Sequence, residues 1–147
     1  MAEYDFKILS DYEFEVLTRD LLQKEFGVTL EFFTSGRDQG IDARYSRDEK
    51  DSWIIQCKHY AKSSFSVLKS RLKKDEKPKV SALAPKRYIF VTSQPLTPTK
   101  KNDILEIFSP FCQTTQDIFG KDDLNNLLGN SAGFTLLDRT PLFKQFI

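Results

Sequence analysis

Two runs decide how the rest of the chain is read: Gly36-Arg37-Asp38-Gln39-Gly40-Ile41-Asp42-Ala43-Arg44-Tyr45 and Trp53-Ile54-Ile55-Gln56-Cys57-Lys58. Ile41 to Tyr45 and Trp53 to Cys57 are short and largely apolar, and they flank a polar, charged segment. That is the pattern of a β-hairpin. Side chains along a strand alternate between faces. Asp42 and Arg44 therefore share one face, and Ile41, Ala43 and Tyr45 the other. On the second strand Trp53, Ile55 and Cys57 point one way, Ile54, Gln56 and Lys58 the other. An acid, an amide and an amine can then converge on one side of a hairpin whose other side is packed.

That grouping suits a divalent metal with a cation beside it. Hard cations such as Mg²⁺ take oxygen ligands. Asp42 offers a carboxylate, Gln56 an amide oxygen, and the backbone carbonyl of Cys57 a third donor. The ammonium of Lys58 can orient or deprotonate a water and stabilise a pentavalent phosphate. A metal and a lysine together are equipment for hydrolysing a phosphodiester.

Upstream, Ser10 and Glu13 form a capping box, with Asp11 adding charge at the start of a helix that Gly27 stops. Phe14, Leu17, Leu21 and Leu22 recur at helical spacing as its buried stripe. Glu15 lies at the edge of that stripe, one turn from Arg19. On pattern alone it reads as half of a surface pair with Arg19, contributing about 0.3–0.5 kcal/mol. Val28 to Thr34 reads as a strand, closed by Ser35-Gly36. Gly36 and Gly40 bracket Asp38 and permit a sharp bend there.

Downstream, Phe65, Leu68 and Leu72 mark a basic helix from Ser64 to Lys77. Pro78 and Pro85 bound a connector. Tyr88-Ile89-Phe90-Val91 reads as a fully buried strand within Lys86 to Ser93. Thr99 to Phe108 is a further helix with Ile104, Leu105 and Phe108 inward. Gln113 to Phe119 can form a short strand. A last helix carries Leu124, Leu127 and Leu128 and stops at Gly129. Helices interleaved with strands argue an α/β class, an antiparallel hairpin opening a sheet that later strands join in parallel.

At 147 residues the chain suits a single domain with one real core, 1–147, its centre spanning about 8–130. No run of about 18 apolar residues is present, so no membrane partner is expected. The acidic Met1-Ala2-Glu3-Tyr4-Asp5 start is not a signal peptide, which points to a cytoplasmic protein. Cys57 and Cys112 read as free thiols, and two cysteines with one histidine make no Cys/His zinc site unaided. The formal charge of +1 conceals an asymmetry. Residues 1–57 carry 7 Lys/Arg and 13 Asp/Glu, net −6; residues 58–101 carry 12 and 2, net +10; residues 102–147 carry 3 and 6, net −3. The middle segment is either a solvated lysine-rich helix face or a footprint for a phosphate backbone.

These residues resemble the Mrr-type branch of the restriction-endonuclease-like, PD-(D/E)xK nuclease superfamily. The resemblance rests on Tyr12-Glu13-Phe14-Glu15, Asp38-Gln39-Gly40-Ile41-Asp42 and Ile55-Gln56-Cys57-Lys58-His59-Tyr60, taken in order. It covers residues 10–95 well and the rest weakly. It implies a central mixed sheet of four to five strands flanked by helices, and a Mg²⁺-dependent endonuclease, with Mn²⁺ able to substitute. Carried over, Asp42 is the central metal ligand, Gln56 stands where the superfamily commonly has Glu, and Lys58 is the catalytic lysine. Glu15 completes the site from the helix. Asp38 and His59 are supporting residues, His59 at the rim rather than as a general base. Lys62, Lys69, Arg71, Lys73, Lys74 and Lys77 become contacts for the backbone of double-stranded DNA. Such domains commonly serve bacterial defence or restriction proteins, as homodimers or higher oligomers, with an NTPase or sensor domain C-terminal to them. The alternatives are a non-catalytic binding module of the same fold and a nuclease of the Holliday-junction-resolvase kind.

Overall fold

The computed structural model describes residues 4–32, 43–46, 52–60 and 62–130, with backbone alone for 32, 43–46 and 130. Asp38, Asp42, the two bracketing glycines and the tail 131–147 lie outside the described residues.

Helix α1, Asp11–Phe26, begins where the sequence places it: the Ser10 hydroxyl accepts from the Glu13 amide and the Glu13 carboxylate from the Ser10 amide. Such a cap stabilises a helix by about 1 kcal/mol. Gly27 ends it in the left-handed region, φ 65°, where a side chain would be strained. Phe14, Leu17, Leu21 and Leu22 are all buried. A short 3-10 turn, Phe6–Ile8, precedes the helix.

Strand β1 is only Glu31–Phe32 among the described residues, so the expected start at Val28 is corrected. Gln23 holds the intervening segment to the end of α1. Its carbonyl accepts from the Val28 amide at 3.3 Å and its side-chain oxygen from the Leu30 amide at 2.9 Å. Amides tied to a helix end are unavailable to a ladder, whatever the β propensity of the residues.

The hairpin strands are β2, Ala43–Ser46, and β3, Ser52–Lys58, paired antiparallel with Ala43 opposite Ile55. Strand β4, Arg87–Thr92, runs parallel to β3, and β5, Ile118–Phe119, parallel to β4. The sheet order is β1-β2-β3-β4-β5. Its parallel part is three strands only; the count expected from the sequence is reached by adding the antiparallel β1 and β2. The last strand is shorter than Gln113 to Phe119, because Thr115–Asp117 coil into a 3-10 turn capped by the Thr114 hydroxyl.

Between β3 and β4 the chain stays helical past Pro78, which corrects the expected connector. Helix α2, Phe65–Arg71, capped by Ser64, passes into a π-helical turn, Leu72–Glu76, and then α3, Lys77–Leu83. A proline in mid-helix lacks an N–H and crowds the carbonyl four residues back. Here the widened turn, with the Lys77 amide bonded to the Leu72 carbonyl, sets Pro78 in the first turn of α3, where that cost is small. Helix α4, Pro98–Phe108, is capped by Thr97, and α5, Lys121–Asn130, runs through Gly129 instead of stopping there.

Each sheet face is packed. Ile55, Ile89, Val91 and Phe119 meet α1 and α5; Ile54, Tyr88, Phe90 and Ile118 meet the α2–α3 rod and α4. Gly120 joins β5 to α5 at a point with no room for a side chain. A Cβ there would stand 2.9 Å from Leu96 Cγ and 3.0 Å from the Gln94 carbonyl oxygen. Gly120→Ala is therefore expected to cost about 1–3 kcal/mol and to lower Tm by several degrees. A wild-type melting curve would contradict this packing.

Candidate nuclease site at the C-terminal end of β3

In open α/β sheets, ligands bind beyond the carboxyl ends of the parallel strands. Lys58 is the last residue of β3, level with Thr92 at the end of β4. Its carbonyl is fixed by three donors: the Thr92 hydroxyl at 2.8 Å, the Tyr60 amide at 3.1 Å and the Ser93 amide at 3.4 Å. Buried Gln94 points its amide nitrogen at the carbonyls of Tyr60, Ser63 and Ser64, at 3.0, 2.8 and 3.2 Å. The turn from β3 into α2 is thus pinned from below by the residues that follow β4.

Strand alternation sends Gln56 and Lys58 to the α2–α3 side, as the sequence implies. There they meet Glu76, which sequence reading did not single out. The Gln56 amide nitrogen donates to Oε2 of Glu76, and Lys58 Nζ lies 3.0 Å from Oε1. The Tyr88 hydroxyl donates to the Gln56 amide oxygen. A carboxylate only accepts, so the amide orientation is settled: nitrogen to Glu76, oxygen to Tyr88. Tyr88 is fully buried against Phe108, ring centroids 4.5 Å apart. Tyr88, Gln56, Glu76 and Lys58 form one polar chain from the core to the half-buried ammonium.

Glu76 sits where a helix facing this sheet presents an apolar residue. Leu68, Leu72, Glu76 and Val80 are all buried, at strict intervals of four. In a pure α-helix such a row drifts about 40° per step. The wider i→i+5 turn at Leu72–Glu76 offsets that drift and keeps Glu76 facing the sheet. π turns of this kind recur at functional sites. An acid in an otherwise apolar i, i+4 row was the signal; Leu68, Leu72 and Glu76 fall within the expected helix, and Val80, beyond Pro78, completes the row.

Glu15 is half-buried on α1, which covers the opposite face of the sheet. It is one residue past Phe14, whose ring stacks on His59 at 4.8 Å, so it stands at the same end of β3. His59 is engaged on both ring nitrogens: Nε2 donates to the Leu9 carbonyl at 2.7 Å, and Nδ1 faces the Ser93 hydroxyl at 2.8 Å. A histidine held this way ties the start of α1 to the end of β3.

Of the basic residues singled out, Lys62, Lys73, Lys74 and Lys77 are exposed. Lys69 pairs with Asp103 at 3.3 Å and Arg71 with Asp75 at 3.4 Å, so part of their charge is answered locally. Lys62 lines a cleft of about 230 Å³ with Lys7, Leu9, Asp11, His59, Tyr60 and Ser63. Cys57 and Cys112 are not joined in a disulfide. Burial, with the Asp117 charge adding to it, pushes the Cys112 thiol up to about 12, which leaves it a packing group.

A family model described as a restriction endonuclease, the Mrr catalytic domain, matches residues 6–102. The matched span runs from the 3-10 turn before α1 into α4, and so takes in β3, its lysine and the helical rod behind it. The chain is also 48% identical over 126 residues to the uncharacterized protein y4cD of Sinorhizobium fredii, covering 86% of this chain. It spans about a fifth (19%) of that relative's length. No helix among the described residues is long and apolar enough to cross a membrane. With the family match covering this span, the chain belongs to the Mrr restriction-endonuclease family, and its fold is that of a nuclease domain.

Proposed function

We propose that the chain is a metal-dependent endonuclease hydrolysing phosphodiester bonds of double-stranded DNA, with Asp42, Gln56, Lys58 and Glu15 as its centre. The observation that carries this reading is the Gln56–Lys58 pair fixed at the carboxyl end of β3, inside the span matched by the family. Asp42 immediately precedes Ala43 in the sequence, and Ala43, the first residue of β2, is opposite Ile55, the neighbour of Gln56. The candidate donors are all oxygens, from Asp42, Glu15, Gln56 and the Cys57 carbonyl, and that chemistry fits a hard cation. Among the described residues no three acids, histidines or cysteines converge on a metal position; Asp42, outside them, is proposed as the central ligand.

Held by these oxygens, a Mg²⁺ would supply positive charge to the phosphate and would make a water more acidic. Lys58 places its ammonium against a non-bridging oxygen as charge accumulates there. In-line attack by water forms a new P–O bond as the bond to the leaving oxygen breaks; the water gives up a proton to solvent and the departing oxygen takes one from solvent. His59 supports the site by tying the start of α1 to the end of β3, and Asp38 is proposed as a supporting acid. Cleaving both strands calls for two copies of the domain, so a dimer or higher oligomer is the active form on duplex DNA. The match to only 19% of the S. fredii relative supports reading this chain as one part of a longer protein; a role as the effector of a bacterial defence protein, a linked NTPase or sensor domain and a cytoplasmic location are proposed from the family resemblance alone.

The test is nicking of supercoiled plasmid in Mg²⁺ by the wild-type chain and by Asp42→Ala. Nicking that Asp42→Ala loses is expected; equal nicking by both would remove Asp42 from the site. A second reading, a non-catalytic binding module, is favoured by the burial of Gln56, 2% exposed with both ends of its amide engaged. DNA binding with no nicking at any Mg²⁺ concentration would select it. Preference for four-way junctions over linear duplex would place the chain with the resolvases.

Lys73, Lys74 and Lys77 form the exposed basic side of the rod and are proposed to grip the DNA backbone together with Lys62, Lys69 and Arg71. Replacing Lys73, Lys74 and Lys77 with alanine should weaken binding equally for all sequences. Each lost phosphate contact reduces the slope of log K against log[salt] by about 0.9. Anisotropy titrations at several salt concentrations measure it, and an unchanged slope would take this side out of the interface.

A further inference from the structure

We propose that Glu76 is a positioning residue of this site, holding the Lys58 ammonium and the Gln56 amide in place, and that its charge is why an amide stands at position 56. The proposal rests on the reading of Lys58 as the lysine of a nuclease site. Three observations carry it. The Glu76 side chain is 6% exposed, yet each of its oxygens meets a different member of the site: Oε2 the Gln56 nitrogen and Oε1 the Lys58 ammonium at 3.0 Å. The other cation near it, Lys79, is farther off at 3.9 Å. And the π turn, Leu72–Glu76, holds Glu76 in the buried row that faces the sheet.

The chemistry follows from donor counting. Position 56 must accept from the Tyr88 hydroxyl and donate to Glu76; glutamine does both, whereas an ionised glutamate only accepts. A glutamate there would set two buried carboxylates against each other, and like charges that close cannot both stay ionised. The negative charge beside the lysine has not been lost from this site; it stands on the helix behind the strand. A lysine otherwise free to sample many rotamers is held in one region by that charge. Misplacing a reacting group by about 1 Å can cost 100-fold in rate.

A charge swap tests this. Wild type, Glu76→Gln, Gln56→Glu, the double variant Gln56→Glu/Glu76→Gln and Lys58→Ala are compared by single-turnover plasmid nicking over a Mg²⁺ titration, with melting curves alongside. Glu76→Gln can keep its bond with Gln56 but offers Lys58 no charge. Its limiting rate is expected to fall by at least about 10-fold while the Mg²⁺ concentration giving half the limiting rate stays within about two-fold, the signature of lost alignment. Gln56→Glu should lower both Tm and rate. The double variant re-forms one carboxylate and one amide, and should exceed Gln56→Glu in both. An unchanged limiting rate in Glu76→Gln would overturn the proposal. So would a Mg²⁺ requirement raised 10-fold at unchanged limiting rate, because Glu76 would then act on the metal. A double variant no better than Gln56→Glu, or one that does not fold, would overturn it as well. If Gln56→Glu alone does not fold, folding of the double is the expected rescue. Full activity of Lys58→Ala would sink the underlying site reading. An inactive Lys58→Ala beside a fully active Glu76→Gln would sink only the role of Glu76.

Discussion

Lys58→Ala is expected to reduce plasmid nicking by at least about 100-fold, the loss usual when one group facing developing charge is removed. Its fold should survive, and the structure says why. The Lys58 side chain is 26% exposed, so its removal opens no closed cavity. Glu76 keeps the Gln56 amide as a donor and has Lys79 at 3.9 Å, so its carboxylate is not stranded. The backbone of residue 58 keeps its three hydrogen bonds from Thr92, Ser93 and Tyr60, none of which involves the side chain. Single-turnover nicking and a melting curve on the same sample check both halves. Tm should fall by no more than a few degrees. A variant that nicks at the wild-type rate would take Lys58 out of the chemistry.

The largest effect on stability is expected at the other end of the sheet, at Arg87. Its guanidinium grips Asp117 with two bonds, 2.7 and 3.0 Å, and lies over the rings of Trp53 and Phe26 at 4.4 and 4.9 Å. One contact set thereby joins β3, β4, α1 and the turn before β5. The two partners are unequal: the Asp117 side chain is 5% exposed and that of Arg87 32%. Arg87→Met strands a buried carboxylate, and breaking such a pair costs about 3–5 kcal/mol. At this chain length that is a fall in Tm on the order of 10 °C. Asp117→Ala leaves a cation that water can reach, so it should cost clearly less. The double variant should also cost less than Arg87→Met alone. Thermal unfolding of the three variants decides it, and an Asp117→Ala loss as large as that of Arg87→Met would contradict the burial argument.

What was legible in the sequence was what local chemistry dictates. Ser10, Glu13 and Gly27 bracket α1 because a cap and a left-handed residue act within a few residues of themselves. The alternation of Ile54, Gln56 and Lys58 against Trp53, Ile55 and Cys57 placed the amide and the lysine on one face, where they lie. The errors come from partners distant in sequence or from one misleading residue. Val28 to Leu30 carry strand-forming side chains but are held by Gln23. Pro78 signals a break, and the π turn before it removes the conflict. That single misreading also hid Glu76, since an acid at the end of a basic helix looks solvated, whereas an acid in a buried row of four does not. Glu15, expected to complete the site from the helix, lies on α1, which covers the face of the sheet opposite Gln56, and its part in the site is a proposal. Asp42 and Asp38 lie outside the described residues, so their part in the site is a proposal.

One measurement bears most directly on the account: the rate at which the wild-type chain converts supercoiled plasmid to nicked circles as Mg²⁺ is raised from zero, in the presence of EDTA, to saturation. The account predicts no product in EDTA and a rate that climbs with Mg²⁺ to a plateau. Product formed equally well in EDTA, or plasmid bound but never cut at any Mg²⁺ concentration, would contradict it.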